Sequence, residues 1–493
     1  MSAKGNRMVH RRSLKVVITA AGCVVLAACG SQVPPKDWAS AQRNLAGYNG
    51  NGGNNGATGP GGVYVTGGSN PTATGTNGAL PTGSNGGGGG GGGGGSNGGS
   101  GGSVGAGATA GLTAGSCAGF KNTTGISNST ITLANVADVS GPVPGLFTGA
   151  QQAMKAYVAY FNASSSICGR KLALTLGDSQ TSSGGDQQAT TSACSGSFAM
   201  VGSMGAFDSG GAATGAACGI PDLRVAATEQ ARIDEPNVFG AMSLNSSWQP
   251  TEPATYYKQK YPDAAKAAAF LWLNAGAAAS NGQKEMNAYK QLGYNVVYSA
   301  GIDVTAFNYT TYVSKMVDAH VKFVAFVGAV QYAVRLAKAM HDQHFTPMYV
   351  LDPEFYDPSF VSSGGDAVEG THIWANQLPF EDVNSSPEMQ KYFTWLQRTS
   401  PGAKPNYFGQ FAWAAGALFV KLAYQLGGQL SRPALINALR GVDNYTGNGL
   451  FGPQHVGAKK TGSCYGFIML QQGKWVREPG SPNPYGCGSV IKI

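Results

Sequence analysis

The chain has 493 residues, 75 of them glycine, and a formal net charge of +8. Five basic residues, Lys4, Arg7, Arg11, Arg12 and Lys15, precede Cys29 with no acid among them, so the sequence from Cys29 onward carries only +3. So small a surplus, with no basic cluster interleaved with aromatics, excludes nucleic acid as a partner.

The basic start leads into an apolar run, Val16 to Ala28, which is too short for a hydrocarbon core of about 30 Å but suits an export signal. Leu26-Ala27-Ala28-Cys29-Gly30 then resembles the bacterial lipobox, which implies removal of residues 1–28 and a lipid on the Cys29 sulfur. Each buried CH₂ of an acyl chain gains about 0.8 kcal/mol, so several chains give stable attachment. The expectation is a membrane-anchored protein on the extracytoplasmic face.

Between about Ala46 and Gly115 the sequence is mostly Gly, Asn, Ser, Thr and Ala, with an unbroken glycine run from Gly86 to Gly95. Such a stretch cannot bury enough apolar surface to offset its conformational entropy, so residues 29–116 are expected to form a disordered tether. A flexible chain of roughly 70 residues would average about 45 Å end to end. Two G-x-S-x-G matches inside it, starting at Gly94 and Gly98, lie outside the strand-to-helix turn that gives this pattern meaning.

Beyond Cys29 stand six cysteines, Cys117, Cys168, Cys194, Cys218, Cys464 and Cys487. An even set in an exported chain points to disulfides, and six cysteines permit 15 connectivities. Pairing between sequence neighbours is expected: Cys117 with Cys168, Cys194 with Cys218, Cys464 with Cys487. No C-x-x-C occurs, which removes zinc-ribbon and thioredoxin readings.

From Thr130 the pattern changes to alternating strand and helix signals. TITLANVA (130–137) reads as a strand, and Ala150, Ala153, Met154, Tyr157, Val158 and Phe161 share one helical face. KLALTL (171–176), a helix around Asp186–Ser195, FAMVG (198–202), a helix from Gly210 and DLRVAA (222–227) complete a first series. After an irregular stretch, Gln230 to Tyr261, a second series runs through AAAFLWL (267–273), a helix near Gly282–Leu292, NVVYSAG (295–301), a helix near Tyr309–Ala319, VKFVAFVG (321–328), a helix through Gln331–Met340 and PMYVLD (347–352).

Apolar strands alternating with amphipathic helices imply α/β structure with parallel sheets covered on both faces. Two series imply two lobes. Ligands of open parallel sheets bind beyond the carboxyl ends of the strands, so the expected site is a cleft between the lobes.

The order and content of five stretches, ITLANVADVSGP, RKLALTLGDSQ, AMVGSMGAFDSGGAA, GIPDLRVAAT and GNGLFGPQ…GFIMLQQGKWV, resemble the type I periplasmic binding proteins, in particular the substrate-binding subunits of branched-chain amino-acid ABC importers. The resemblance runs from about Thr130 to the C-terminus. It implies two Rossmann-like lobes joined by a three-segment hinge, with 117–247 plus 376–446 in one lobe and 248–375 plus 447–493 in the other. It also implies a monomer that captures a small amino-acid-like molecule, amide or carboxylate and delivers it to an ABC permease. A sensor that keeps the same clamshell and signals to a membrane partner is the alternative.

In the relatives, loops after two adjacent strands grip a ligand carboxylate. They map here to Ala206, Phe207 and Asp208 and to Ala226 and Thr228. Small residues admit a ligand to the backbone and helix N-termini present free N–H groups, which supports this placement independently. Asp352 or Glu354, at the end of PMYVLD, would meet a ligand ammonium. Phe207 and Trp248 could wall the pocket, and Gln331 could supply a polar contact.

Catalysis is not expected: the head has no P-loop, no strand-borne G-x-S-x-G and no facing carboxylate pair. Gly447 to Gly452 fits GxGxxG but lies outside any βαβ unit, so no nucleotide cofactor is expected. His341 and His344 lack a third ligand in the sequence pattern, so no metal is expected either.

Overall fold

The computed structural model describes residues 107–493. Signal segment, Cys29 and most of the expected tether lie outside them. The last residues placed in the tether, Gly107 to Ser116, run against the first lobe: the Gly115 N–H donates to the Tyr424 carbonyl at 2.9 Å, and the Gly428 N–H to that of Ser116 at 2.7 Å.

The first sheet contains β1 (Thr130–Ala137), β2 (Lys171–Asp178), β3 (Ala199–Val201), β4 (Asp222–Arg224) and β5 (Val238–Gly240), all parallel, in the order β2-β1-β3-β4-β5. Ile131 and Leu133 face a large core built with the helices Thr148–Ser164, Pro387–Thr399, Tyr407–Leu426 and Arg432–Arg440. Ala134 and Val136 face a smaller one with Ala193 of the helix Ser183–Gly196. One strand feeding two cores is the expected result of side chains alternating across a pleated sheet.

A short strand β6 (Trp248–Pro250) and the helix Glu252–Lys260 lead to β7 (Ala268–Leu273), β8 (Val296–Ile302), β9 (Phe323–Val327), β10 (Met348–Leu351) and β11 (His372–Ala375). Their order, β8-β7-β9-β10-β11, repeats that of the first sheet. The alternation is complete on β7: Ala269, Leu271 and Leu273 enter one core and Ala268, Phe270 and Trp272 the other. The sheet is then extended antiparallel by β12 (Cys464–Gln471) and β13 (Lys474–Arg477), while β14 (Gly486–Cys487) pairs with β12 and β15 (Val490–Lys492) with β6.

Three crossings join the lobes, and they are stitched together. The Leu378 N–H bonds the Leu450 carbonyl and the Gly452 N–H that of Asn376, both at 2.8 Å. Ser243 and Asn245 of the first crossing bond Gln454 and Thr461 of the third. Leu450, Phe451 and Val456, assigned to the second lobe from the sequence, are packed in the first lobe's core. The chain therefore returns after Val456 and not at Gly447, because these apolar side chains fill space beside the helix Tyr407–Leu426.

All six cysteines are paired as sequence neighbours: Cys117–Cys168, Cys194–Cys218 and Cys464–Cys487.

Candidate functional site

In each sheet the strand order reverses at one point, between β1 and β3 and between β7 and β9. Loops leave in opposite directions there and open a crevice at the carboxyl ends. The two crevices face one another across a cavity of about 240 Å³, lined from the first lobe by Phe147, Met204, Ala206, Phe207 and Thr228 and from the second by Leu273, Asn281, Glu285, Val330, Asp352 and Glu354. Asn406, Tyr407 and Phe408, at the start of a long helix, and Trp374, Asn376 and Tyr465 close its sides.

Asp138, one residue past β1 and 1% exposed, organises the first lobe's rim. Its carboxylate accepts from Ser179 Oγ at 2.6 Å, Thr181 N–H at 3.0 Å and Ala206 N–H at 2.8 Å, tying three strand-end loops to one point. Burial raises its pKa against the opposing pull of these bonds.

Behind the loops lies a buried ion network. Asp208 accepts from the N–H groups of Thr228 and Glu229 at 2.9 and 3.0 Å and sits 3.5 Å from Arg224. Arg224 and Arg232 share Asp222, and Arg232 also reaches Asp186 at 3.7 Å. Asp208 is fully buried in this network and does not line the cavity. It holds the Thr228 loop in place, a role the sequence did not reveal because both arginines reach it only through tertiary folding.

The donors expected to grip a ligand carboxylate are committed within the protein. Thr228 Oγ1 donates to the Gly205 carbonyl at 2.7 Å, and its N–H and that of Ala206 go to Asp208 and Asp138. Ala226 is fully buried and, with Gln331, lies off the cavity. Trp248 is on it, within the β6–β15 ribbon, with Lys460 Nζ 5.1 Å above its ring.

Both acids at the end of β10, Asp352 and Glu354, line the cavity. They are joined by Glu285, which sequence reasoning missed. Glu285 is 6% exposed on the helix Gly276–Gln291. Burial, then the charge of Glu354, pushes it up to about 8; burial pushes Glu354 up to about 7, and Asp352 well above the carboxylate range. A signal was present: Glu285 falls on one helical stripe with the buried Gly282 and Tyr289, where a carboxylate is rare unless paired. On the same walls, Asn281 Oδ1 and Trp374 Nε1 are buried with no hydrogen-bond partner among the described residues.

Residues 130–473 match the family model described as periplasmic binding protein. No curated protein matches the chain. Among solved structures, the chain is similar to a fatty acid ABC transporter substrate-binding protein from Thermomonospora curvata, at 17% identity and TM-score 0.62, covering 74% of this chain and 95% of that one. A branched-chain amino acid transporter substrate binding protein from Streptococcus pneumoniae, in complex with isoleucine, is similar at 16% identity and TM-score 0.61, covering 74% and 100%. A solute binding protein from R. palustris, in complex with 4-hydroxybenzoate, is similar at 16% identity and TM-score 0.59, covering 74% and 97%.

Proposed function

The chain belongs to the type I periplasmic binding protein family, and from that premise we propose that it is an extracytoplasmic solute-binding lipoprotein that captures a small molecule between its lobes and hands it to an ABC importer. The observation carrying this reading is the cavity at the carboxyl ends of both sheets, closed by a backbone hydrogen bond from Ala277 N–H of one lobe to the Ala206 carbonyl of the other. A bond between a helix start on one lobe and a loop on the other forms only when the lobes come together, so a ligand that contacts both shifts the population toward closure. The basic start, apolar run and Leu26-Ala27-Ala28-Cys29 support anchoring through a lipid on Cys29, with the closed head docking on the permease.

The test is hydrogen exchange at the Ala277 amide in the full-length protein, screened against amino acids, amides, amines, short carboxylates and aromatic acids. A binder should slow exchange there and raise the melting temperature together. Binders that raise the melting temperature without protecting Ala277 would overturn capture by closure. Uptake of that compound by cells should fall when Cys29 is replaced by alanine.

A further inference from the structure

Four carboxylates, Glu285, Asp352, Glu354 and Asp357, line the cavity, and among the described residues no lysine, arginine or histidine does. Among the described residues none donates a side-chain hydrogen bond to Glu285, Asp352 or Glu354. Lys284, beside Glu285 on the same helix, donates to Ser246 Oγ at 2.9 Å and to Ser247. Carboxylates buried without a counter-charge are costly, and neighbours of like charge add repulsion. In a ligand site such a cost is relieved by what the ligand brings.

Taking the capture reading as given, we propose that the captured solute is an organic cation, a primary or secondary amine on an apolar body with no carboxylate of its own. The carboxylates supply acceptors for its N–H groups, and Asn281 Oδ1, one helical turn before Glu285 and without a donor, supplies another. Phe147, Phe207, Tyr407 and Phe408 supply an aromatic wall for the body and faces that attract a cation. A ligand carboxylate would meet carboxyl groups and no cation on this wall, while the Thr228 hydroxyl and the Ala206 amide that would receive it are already bonded. The raised pKa values agree with this geometry, since a cluster short of cations retains protons that an entering ammonium displaces. A metal ion fits less well, because among the described residues no three His, Cys, Asp or Glu side chains are placed to hold one.

The experiment titrates the full-length protein with 2-phenylethylamine and isopentylamine, and in parallel with isoleucine, 3-phenylpropionate, isovaleramide and calcium chloride. The two amines should bind at least tenfold more tightly than the others and protect the Ala277 amide. Glu285→Gln and Glu354→Gln should each weaken amine binding about 10- to 100-fold, the loss of one charge-assisted hydrogen bond, while melting no lower than the parent. Tighter binding of isoleucine, phenylpropionate, isovaleramide or calcium overturns the amine assignment and leaves capture standing. If no probe protects Ala277, both readings fall.

Discussion

The Ala277 amide of the second lobe donates to the Ala206 carbonyl of the first at 3.1 Å, and the residue before it leaves no room for a side chain. A Cβ at Gly276 would stand 2.7 Å from the Ala206 oxygen and 3.2 Å from the Phe207 ring. Gly276 also has φ +51°, where an L-residue costs roughly 1–2 kcal/mol. Gly276→Ala should therefore prop the lobes apart. Ligand affinity is expected to drop at least about tenfold, with a stability loss no larger than that backbone strain. Titration beside thermal melting separates the two, and undiminished affinity would show that closure does not bring these loops together.

The carboxylate cluster sets a pH dependence in the empty protein. Glu285, Asp352 and Glu354 line one cavity, with Asp357 on it too and the phenols of Tyr289, Tyr407 and Tyr465 nearby. Their folded-state pKa values lie above the unfolded ones, so the folded state binds more protons across the interval between. The cluster's contribution to stability is thus fully present below about pH 4 and is lost as pH rises through about 7 and about 8, the values of Glu354 and Glu285. Urea unfolding at pH 5.5 and pH 8.5 should differ by a few kcal/mol, and Glu285→Gln should flatten the difference. A parent equally stable at both would mean that the carboxylates are not gathered in the cavity without partners.

Much of the head was legible because its strands are long enough to show a period. Thr130–Ala137 is observed at the limits read from TITLANVA, and the face of Ala150, Met154, Tyr157 and Phe161 is buried as its spacing requires. β3, β4 and β10 are no longer than β5 and β11 but show as the apolar runs FAMVG, DLRVAA and PMYVLD, whereas β5 falls in the stretch Gln230 to Tyr261 read as irregular and β11 lies past the last of those runs. The same division runs through the site. Ala206, Phe207, Asp352 and Glu354, placed at strand ends by the family resemblance, line the cavity. Trp374 reaches it from β11 and Tyr465 from the antiparallel β12, whose pairing across distant parts of the chain is set by tertiary folding alone.

Asp208 is expected to matter for the site's shape without touching the ligand. Asp208→Asn would leave Arg224 facing an amide and exchange two charge-assisted bonds, to the Thr228 and Glu229 amides, for weaker ones. Breaking a buried pair costs about 3–5 kcal/mol when a charge is left unpaired. Arg224 keeps Asp222, so the loss should fall toward the lower end. Urea denaturation measures it, and a change under about 0.5 kcal/mol would mark the network as redundant.

The three disulfides should differ in effect by loop length and by location. In the loop-entropy account, the 51-residue separation of Cys117 and Cys168 stabilises by about 4 kcal/mol, and the separations of 24 and 23 by about 3.4 each. Serine pairs at Cys117 and Cys168 should then lower stability most. Cys464–Cys487 has a second consequence, because it fastens β14 to β12 just before β15 pairs with β6, the strand carrying Trp248 at the cavity. Replacing that pair should weaken ligand binding several-fold beyond any global destabilisation, whereas replacing Cys194 and Cys218, which lie on the far face of the first sheet beside Ala193 and Ile220, should leave affinity unchanged. Equal affinities in the two variants would show that the C-terminal strand has no part in holding Trp248 at the cavity.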